Sequence, residues 1–129
     1  MPDIVPTEAG ETTFTVDTLL KYMGNDDKAL AVIGKIVRDA ITPGMEPLER
    51  AKLALDEQRF YDAGRIFHSL RGSVGTLGAK RMVAAALAVE QAIVEQRTEQ
   101  IPSLFAALQT EYQAVLDQAA AWLQQHLPQ

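Results

Sequence analysis

The stretch Arg65-Ile66-Phe67-His68-Ser69-Leu70-Arg71-Gly72-Ser73-Val74-Gly75-Thr76-Leu77-Gly78-Ala79 places a histidine between two arginines, each within one helical turn of it. An imidazole can ligate a metal, shuttle a proton or attack an electrophilic centre. Its neighbours decide among these. The chain holds two widely separated histidines, no cysteine and no Glu-x-x-His pair, so the usual inward ligand set of a helical metal site is missing. No acidic residue lies one turn from His68, Asp62 projects to a different side, and Ser69 and Ser73 do not face the ring as a triad would. That leaves a histidine acting without a dedicated base, as a neutral imidazole at pH 7 can. Arg71, three residues on, is its neighbour on a helix surface. A cation there can pair with phosphate oxygens on a phosphorylated imidazole.

An isolated histidine is more often structural than functional, so the element that carries it must be read. At 100° per residue, Ala63, Ile66, Phe67, Leu70, Val74 and Leu77 fall within about 60° of one mean direction and form a core face. His68 lies roughly 140° away from it, on the exposed side. Gly64, Arg65, Arg71, Gly72 and Gly75 share that side. Each glycine inside a helix costs about 1 kcal/mol relative to alanine. Gly64, Gly72 and Gly75 together indicate that something approaches the backbone closely; a neighbouring helix of the same bundle is the plainer explanation for Gly64.

The remaining sequence is helical throughout. Residues 1–12 carry two prolines and no periodicity and read as a flexible tail, with a single domain over 13–127. Phe14, Val16, Leu19, Leu20 and Met23 make a short amphipathic helix stopped at Gly24-Asn25-Asp26, where Asn25 or Asp26 caps the next helix. That helix has the stripe Leu30, Ile33, Ile36, Val37 and Ile41 and breaks at Pro43-Gly44. A third spans about 46–57 with Leu48, Ala51 and Leu55 inward, and the histidine helix spans about 60–77, with Gly78 at its C-terminal cap. A fifth runs over about 80–95 with Met82, Val83, Ala86, Val89, Ala92 and Ile93 inward. The last, beginning near Pro102, repeats Leu104, Leu108, Val115, Leu116, Ala119, Trp122 and Leu123. Tyr112 and Trp122 belong to the core stripe, and His126 is a surface residue near the end. The expected fold is all-α: an antiparallel four-helix bundle with one or two short additional N-terminal helices.

Composition excludes whole classes of function. Hydrophobic residues make up 47% and charged residues 22%, which is the balance of a globular domain rather than a disordered chain. The formal net charge of −5 argues against nucleic acid. The first residues lack the basic and apolar regions of a secretory signal, and no apolar run is long enough to span a membrane. The expected location is cytoplasmic.

His68-Ser69-Leu70-Arg71-Gly72-Ser73 with the trailing Leu77-Gly78-Ala79 resembles the signature of the histidine-containing phosphotransfer (HPt) family, His-x-Leu-Lys-Gly-Ser followed by Leu-Gly-Ala. The similarity extends through Ala54-Leu55, Phe60-Tyr61-Asp62-Ala63, Ala86 and Val89-Glu90-Gln91-Ala92, over about residues 14–125. Arg71 stands where the family most often has lysine, keeping the charge and adding a planar fork. Val37 and Ile41 occupy a region where a phenylalanine is usual. The resemblance implies a phosphoryl carrier, not an enzyme. His68 is the implied phosphoacceptor with Arg71 beside it. Gly64, Arg65, Gly72, Gly75 and Tyr61 form the implied partner surface, with Lys35 and Arg38 at its rim. The implied partners are response-regulator receiver domains and hybrid sensor histidine kinases. The carrier is implied to need no cofactor or metal, because the receiver brings Mg²⁺, and the single exposed site makes a monomer the simpler expectation. Two other readings stay open: the phospho-accepting first domain of a chemotaxis-type histidine kinase, and a helical adaptor that binds without phosphotransfer.

Overall fold

In the computed structural model of the chain, residues 12–126 are described, and they form helices α1 (Asp17–Met23), α2 (Asp27–Ile41), α3 (Glu46–Asp56), α4 (Phe60–Gly75), α5 (Lys80–Val94) and α6 (Ile101–His126). No strand occurs among the described residues. Residues 1–11, most of the expected tail, lie outside them, as do 127–129. Thr12 is described, and its carbonyl accepts from the Arg81 N–H at 3.0 Å.

Helix ends follow local chemistry. Asp26 caps α2, its carboxylate accepting from the Ala29 N–H at 2.8 Å. Pro47 occupies the first turn of α3, where a missing N–H costs nothing. The first helix begins at Asp17, later than the Phe14 that periodicity suggested. Thr15 is held elsewhere: its N–H donates to the Leu77 carbonyl at 2.8 Å, and its hydroxyl accepts from the Asp17 N–H at 3.1 Å. Helix α4 stops at Gly75, two residues before the expected Leu77. Gly78 adopts the left-handed conformation at φ 64°, and the Leu77 and Gly78 N–H groups bond three residues back to Val74 and Gly75.

Two further ends use one device. After α3 and again after α5 the chain reads Glu-Gln-Arg, and in both the glutamine is left-handed: Gln58 at φ 61° and Gln96 at φ 59°. Arg59 N–H donates to Ala54 O at 2.7 Å and Gln58 N–H to Leu55 O at 3.0 Å; Arg97 donates to Ala92 at 2.9 Å and Gln96 to Ile93 at 3.1 Å. This paired pattern is the Schellman motif, here built without glycine. Each arginine also pairs with the glutamate two residues before it, Arg59 with Glu57 and Arg97 with Glu95, both at 2.8 Å.

Around the bundle, α3 packs on α4, α4 on α5, α5 on α6, and α6 on α2. The consecutive helices α2 and α3 share one side, each closing a different part of the core. Leu48, Ala51 and Ala54 of α3 belong to one buried cluster with Phe67, Met82, Val89, Phe105, Leu108 and Tyr112. Ile33 and Val37 of α2 meet Val16, Leu77 and Ala119, with Trp122 and Leu123 packed against them. The four-sided all-α bundle with a short N-terminal helix is the architecture the patterning predicted. Within the stripes, Ala54 is buried on α3 while Leu55 is half-buried, and Ile66 on α4 is half-buried.

Candidate functional site

Helix α4 is anchored by Ala63, Phe67 and Val74, which are fully buried, and by Leu70, nearly so; Phe67 lies 6.0 Å from the Phe105 ring. That face fixes the rotation of the helix, and the rotation sends His68 outward. His68 is exposed, as the wheel predicted.

Arg71 is not a solvated cation. Its Nε–H donates to Glu90 Oε2 at 2.6 Å and its Nη2 to Glu90 Oε1 at 3.0 Å, a two-pronged pair that ties α4 to α5. The Arg71 and Glu90 side chains are 23% and 18% exposed. Hydrogen bonding to Glu90 raises the guanidinium pKa above its ordinary value, with burial opposing. The same Nη2 lies 2.8 Å from His68 Nδ1. Arginine has five N–H groups and no acceptor, so it donates to the ring nitrogen. Among the described residues, no hydrogen bond is formed by His68 Nε2 or by Arg71 Nη1. Sequence spacing predicted the Arg71–His68 contact. It did not place Glu90 beside them, because Arg71 and Glu90 lie nineteen positions apart across a turn; Glu90 entered only as part of the Val89-Glu90-Gln91-Ala92 resemblance.

The glycine strip is open. A Cβ built at Gly64, Gly72 or Gly75 would meet nothing within 4 Å, so no neighbouring helix explains Gly64. Gly78 differs: it is left-handed, and a Cβ there would collide with the Thr15 side chain and press on its backbone. Arg65 sits over the Tyr61 ring at 5.9 Å, and Tyr61 is 76% exposed. Of the proposed rim, Lys35 pairs with Asp39 at 2.9 Å, and Arg38 is exposed. Asp62 is taken by Arg59 at 3.0 Å, and the Ser73 hydroxyl donates to Leu70 O, so neither serves the ring.

Two residues of this surface escaped the sequence reading. Leu87 and Val94, three before and four after Glu90, lie on its side of α5 and are 45% and 80% exposed. Their signal was legible in principle, since both stand off the Met82-Ala86-Val89 stripe. On the other side of α4 an open groove of about 880 Å³ runs along α3, lined by Leu53, Arg65, Ile66, Ser69 and Ser73 among others. No cluster of potential metal ligands exists among the described residues. His126 is exposed and stacks on Trp122 at 4.8 Å; Trp122 is half-buried, and Tyr112 is wholly buried.

Of the two exposed imidazoles, that of His68 alone has a clamped arginine beside it and a bare glycine strip around it, on one face of a helical bundle. A family model for the Hpt domain matches residues 35–122, more than half of the chain, and the chain belongs to that family. Hpt domains are phosphocarrier modules of histidine phosphotransfer. No curated protein and no solved structure matches the chain. No helix among the described residues is long and apolar enough to cross a membrane.

Proposed function

We propose that this protein accepts a phosphoryl group on His68 from the phosphoaspartate of a receiver domain and passes it to the aspartate of another. One observation carries the reading: His68 is exposed, with a hydrogen-bond donor of Arg71 2.8 Å from its ring, on a helix face left bare by three glycines. Bare backbone lets a partner's active-site loops come close to the ring. Arg71 is the phosphate-pairing group. Its two Nη1 hydrogens are unengaged and available to anionic oxygen while the other edge stays on Glu90. Gly64, Gly72 and Gly75 floor the docking surface, with Tyr61 and Arg65 on it and Leu87 and Val94 as an apolar flank.

In the forward step a ring nitrogen attacks phosphorus in line, an N–P bond forms, and the aspartyl O–P bond breaks to release a carboxylate. The reverse exchange with a second receiver discharges the ring. Any Mg²⁺ belongs to the receiver, and so do most of the groups that stabilise the transferring phosphoryl. The protein is on this reading a carrier that works as a monomer in the cytoplasm, between a hybrid sensor kinase and a response regulator.

The test is transfer of label. Receivers charged by a small phosphodonor are mixed with the protein, and acid-labile, base-stable phosphate is sought on it. His68→Gln is expected to take up none. Equal labelling of that variant, or no uptake from any cognate receiver, would sink the proposal, and binding without uptake would favour the adaptor.

A further inference from the structure

Arg71 touches a nitrogen of the histidine, and the direction of that hydrogen bond has a consequence for reactivity. A guanidinium can only donate, and it stays protonated at any physiological pH. His68 Nδ1 therefore accepts, through its lone pair, and in the neutral ring the proton resides on Nε2. In this arrangement neither nitrogen has a lone pair to offer: one is engaged, the other protonated.

We propose that Arg71, braced by Glu90, is a latch that fixes His68 in the Nε2–H tautomer and keeps the imidazole unreactive until a partner draws the guanidinium off Nδ1. The inference rests on the phosphoryl-carrier reading and assigns that site its resting state. Glu90 acts through Arg71 and is a positioning residue; its carboxylate holds the guanidinium edge-on, with 2.6 and 3.0 Å contacts, so that the remaining Nη2 hydrogen faces the ring at 2.8 Å. An arriving phosphoryl group competes for the same cation with more and stronger acceptor oxygens than one imidazole nitrogen supplies. Once Nδ1 is released, the ring proton exchanges through solvent from Nε2 to Nδ1. Nε2 then carries the lone pair. Attack forms the Nε2–P bond, breaks the aspartyl O–P bond and frees the aspartate as carboxylate, with the proton retained on Nδ1.

The protein holds its own control. His126 Nδ1 lies 3.0 Å from the Trp122 carbonyl, and a carbonyl can only accept. His126 must therefore donate from Nδ1, leaving its Nε2 lone pair free. The two histidines are held in opposite tautomers, and both are exposed.

Diethyl pyrocarbonate, a neutral acylating reagent that attacks imidazole lone pairs, needs no help from a cation and reads this difference directly. At pH 8, peptide mass mapping of wild type is expected to show His68 modified about tenfold more slowly than His126, the size of one charge-assisted hydrogen bond. Arg71→Met should close that gap, and Glu90→Gln, the milder change, should close part of it; far-UV circular dichroism checks that both variants fold. Nitrogen-15 ring shifts, assigned with His68→Gln, should show the proton on Nε2 in wild type and a tautomer mixture in Arg71→Met. Equal modification of both histidines in wild type, a proton found on Nδ1 of His68, or no response in either variant overturns the latch. Those results leave phosphoryl uptake untouched. A protein that shows the slow His68, the variant responses and the Nε2 proton as expected yet takes no phosphoryl loses its proposed function, and the contact with it loses the role of a latch.

Discussion

Glu90 holds Arg71 by two hydrogen bonds, and on the proposed reading both the energetics and the chemistry of the site turn on it. It and Arg71 are largely out of water, so removing one partner leaves the other poorly solvated. Glu90→Gln is expected to cost about 1–2 kcal/mol in urea unfolding, because a charged hydrogen-bond pair becomes a neutral one. The site was legible in the sequence as far as one helix reaches: His68, Arg71 and the glycines are related by local spacing, and the wheel oriented them. Glu90, Leu87 and Val94 come from α5, and only packing brings them alongside. Tyr112 makes the opposite point. Periodicity assigned it to the core, and it is wholly buried, but its hydroxyl has no hydrogen-bond partner among the described residues. An orphaned buried hydroxyl costs about 1–3 kcal/mol. Tyr112→Phe is therefore expected to leave stability unchanged or raise it, which thermal unfolding would reveal.

Among the helices, existence was readable and endings were less so. The stripes of α2, α4, α5 and α6 gave clear faces, and Asp26 announced itself as a cap by residue type. The ends of α3 and α5 carried no glycine or proline, and their left-handed glutamines are invisible to a search for usual breakers. Replacing Gln58 or Gln96 with glycine should relieve a left-handed side-chain penalty of about 1 kcal/mol, offset in part by added unfolded-state freedom. A net gain in melting temperature at both positions would show that the Glu-Gln-Arg turns are strained. The glycine strip gives a sharper test. Gly72→Ala meets open space, so helix α4 should gain about 1 kcal/mol. A bulky residue there should block phosphoryl transfer while helicity is retained. A loss of helicity would return Gly72 to internal packing.

For the molecule as a whole, the burial of Tyr112 also sets a pH response. Burial raises the phenol pKa, so the folded state favours the neutral form. Below the ordinary tyrosine value, about 10, the hydroxyl is neutral in both folded and unfolded chains and contributes no pH dependence. Above it the unfolded chain ionises first, so stability falls as pH climbs through the folded value. Tyr112→Phe should flatten that alkaline decline in chemical denaturation at pH 9 to 11. The overall class of fold was legible because helical periodicity, Ala and Leu content and short connections all agree. The division of one side between α2 and α3 was not, since it depends on where each packs.

The Thr12 and Thr15 hydrogen bonds to Arg81 and Leu77 strap the chain's entry to the turn between α4 and α5. The stretch that the family model matches begins at residue 35, inside α2, and yet Val16 and Ile33 upstream of it are buried in one cluster with Leu77 and Ala119. The matched stretch is thus shorter than the unit that folds. A polypeptide cut at residue 35 would bare an oily end and be expected to self-associate, whereas one that keeps the strap should remain a well-behaved solute.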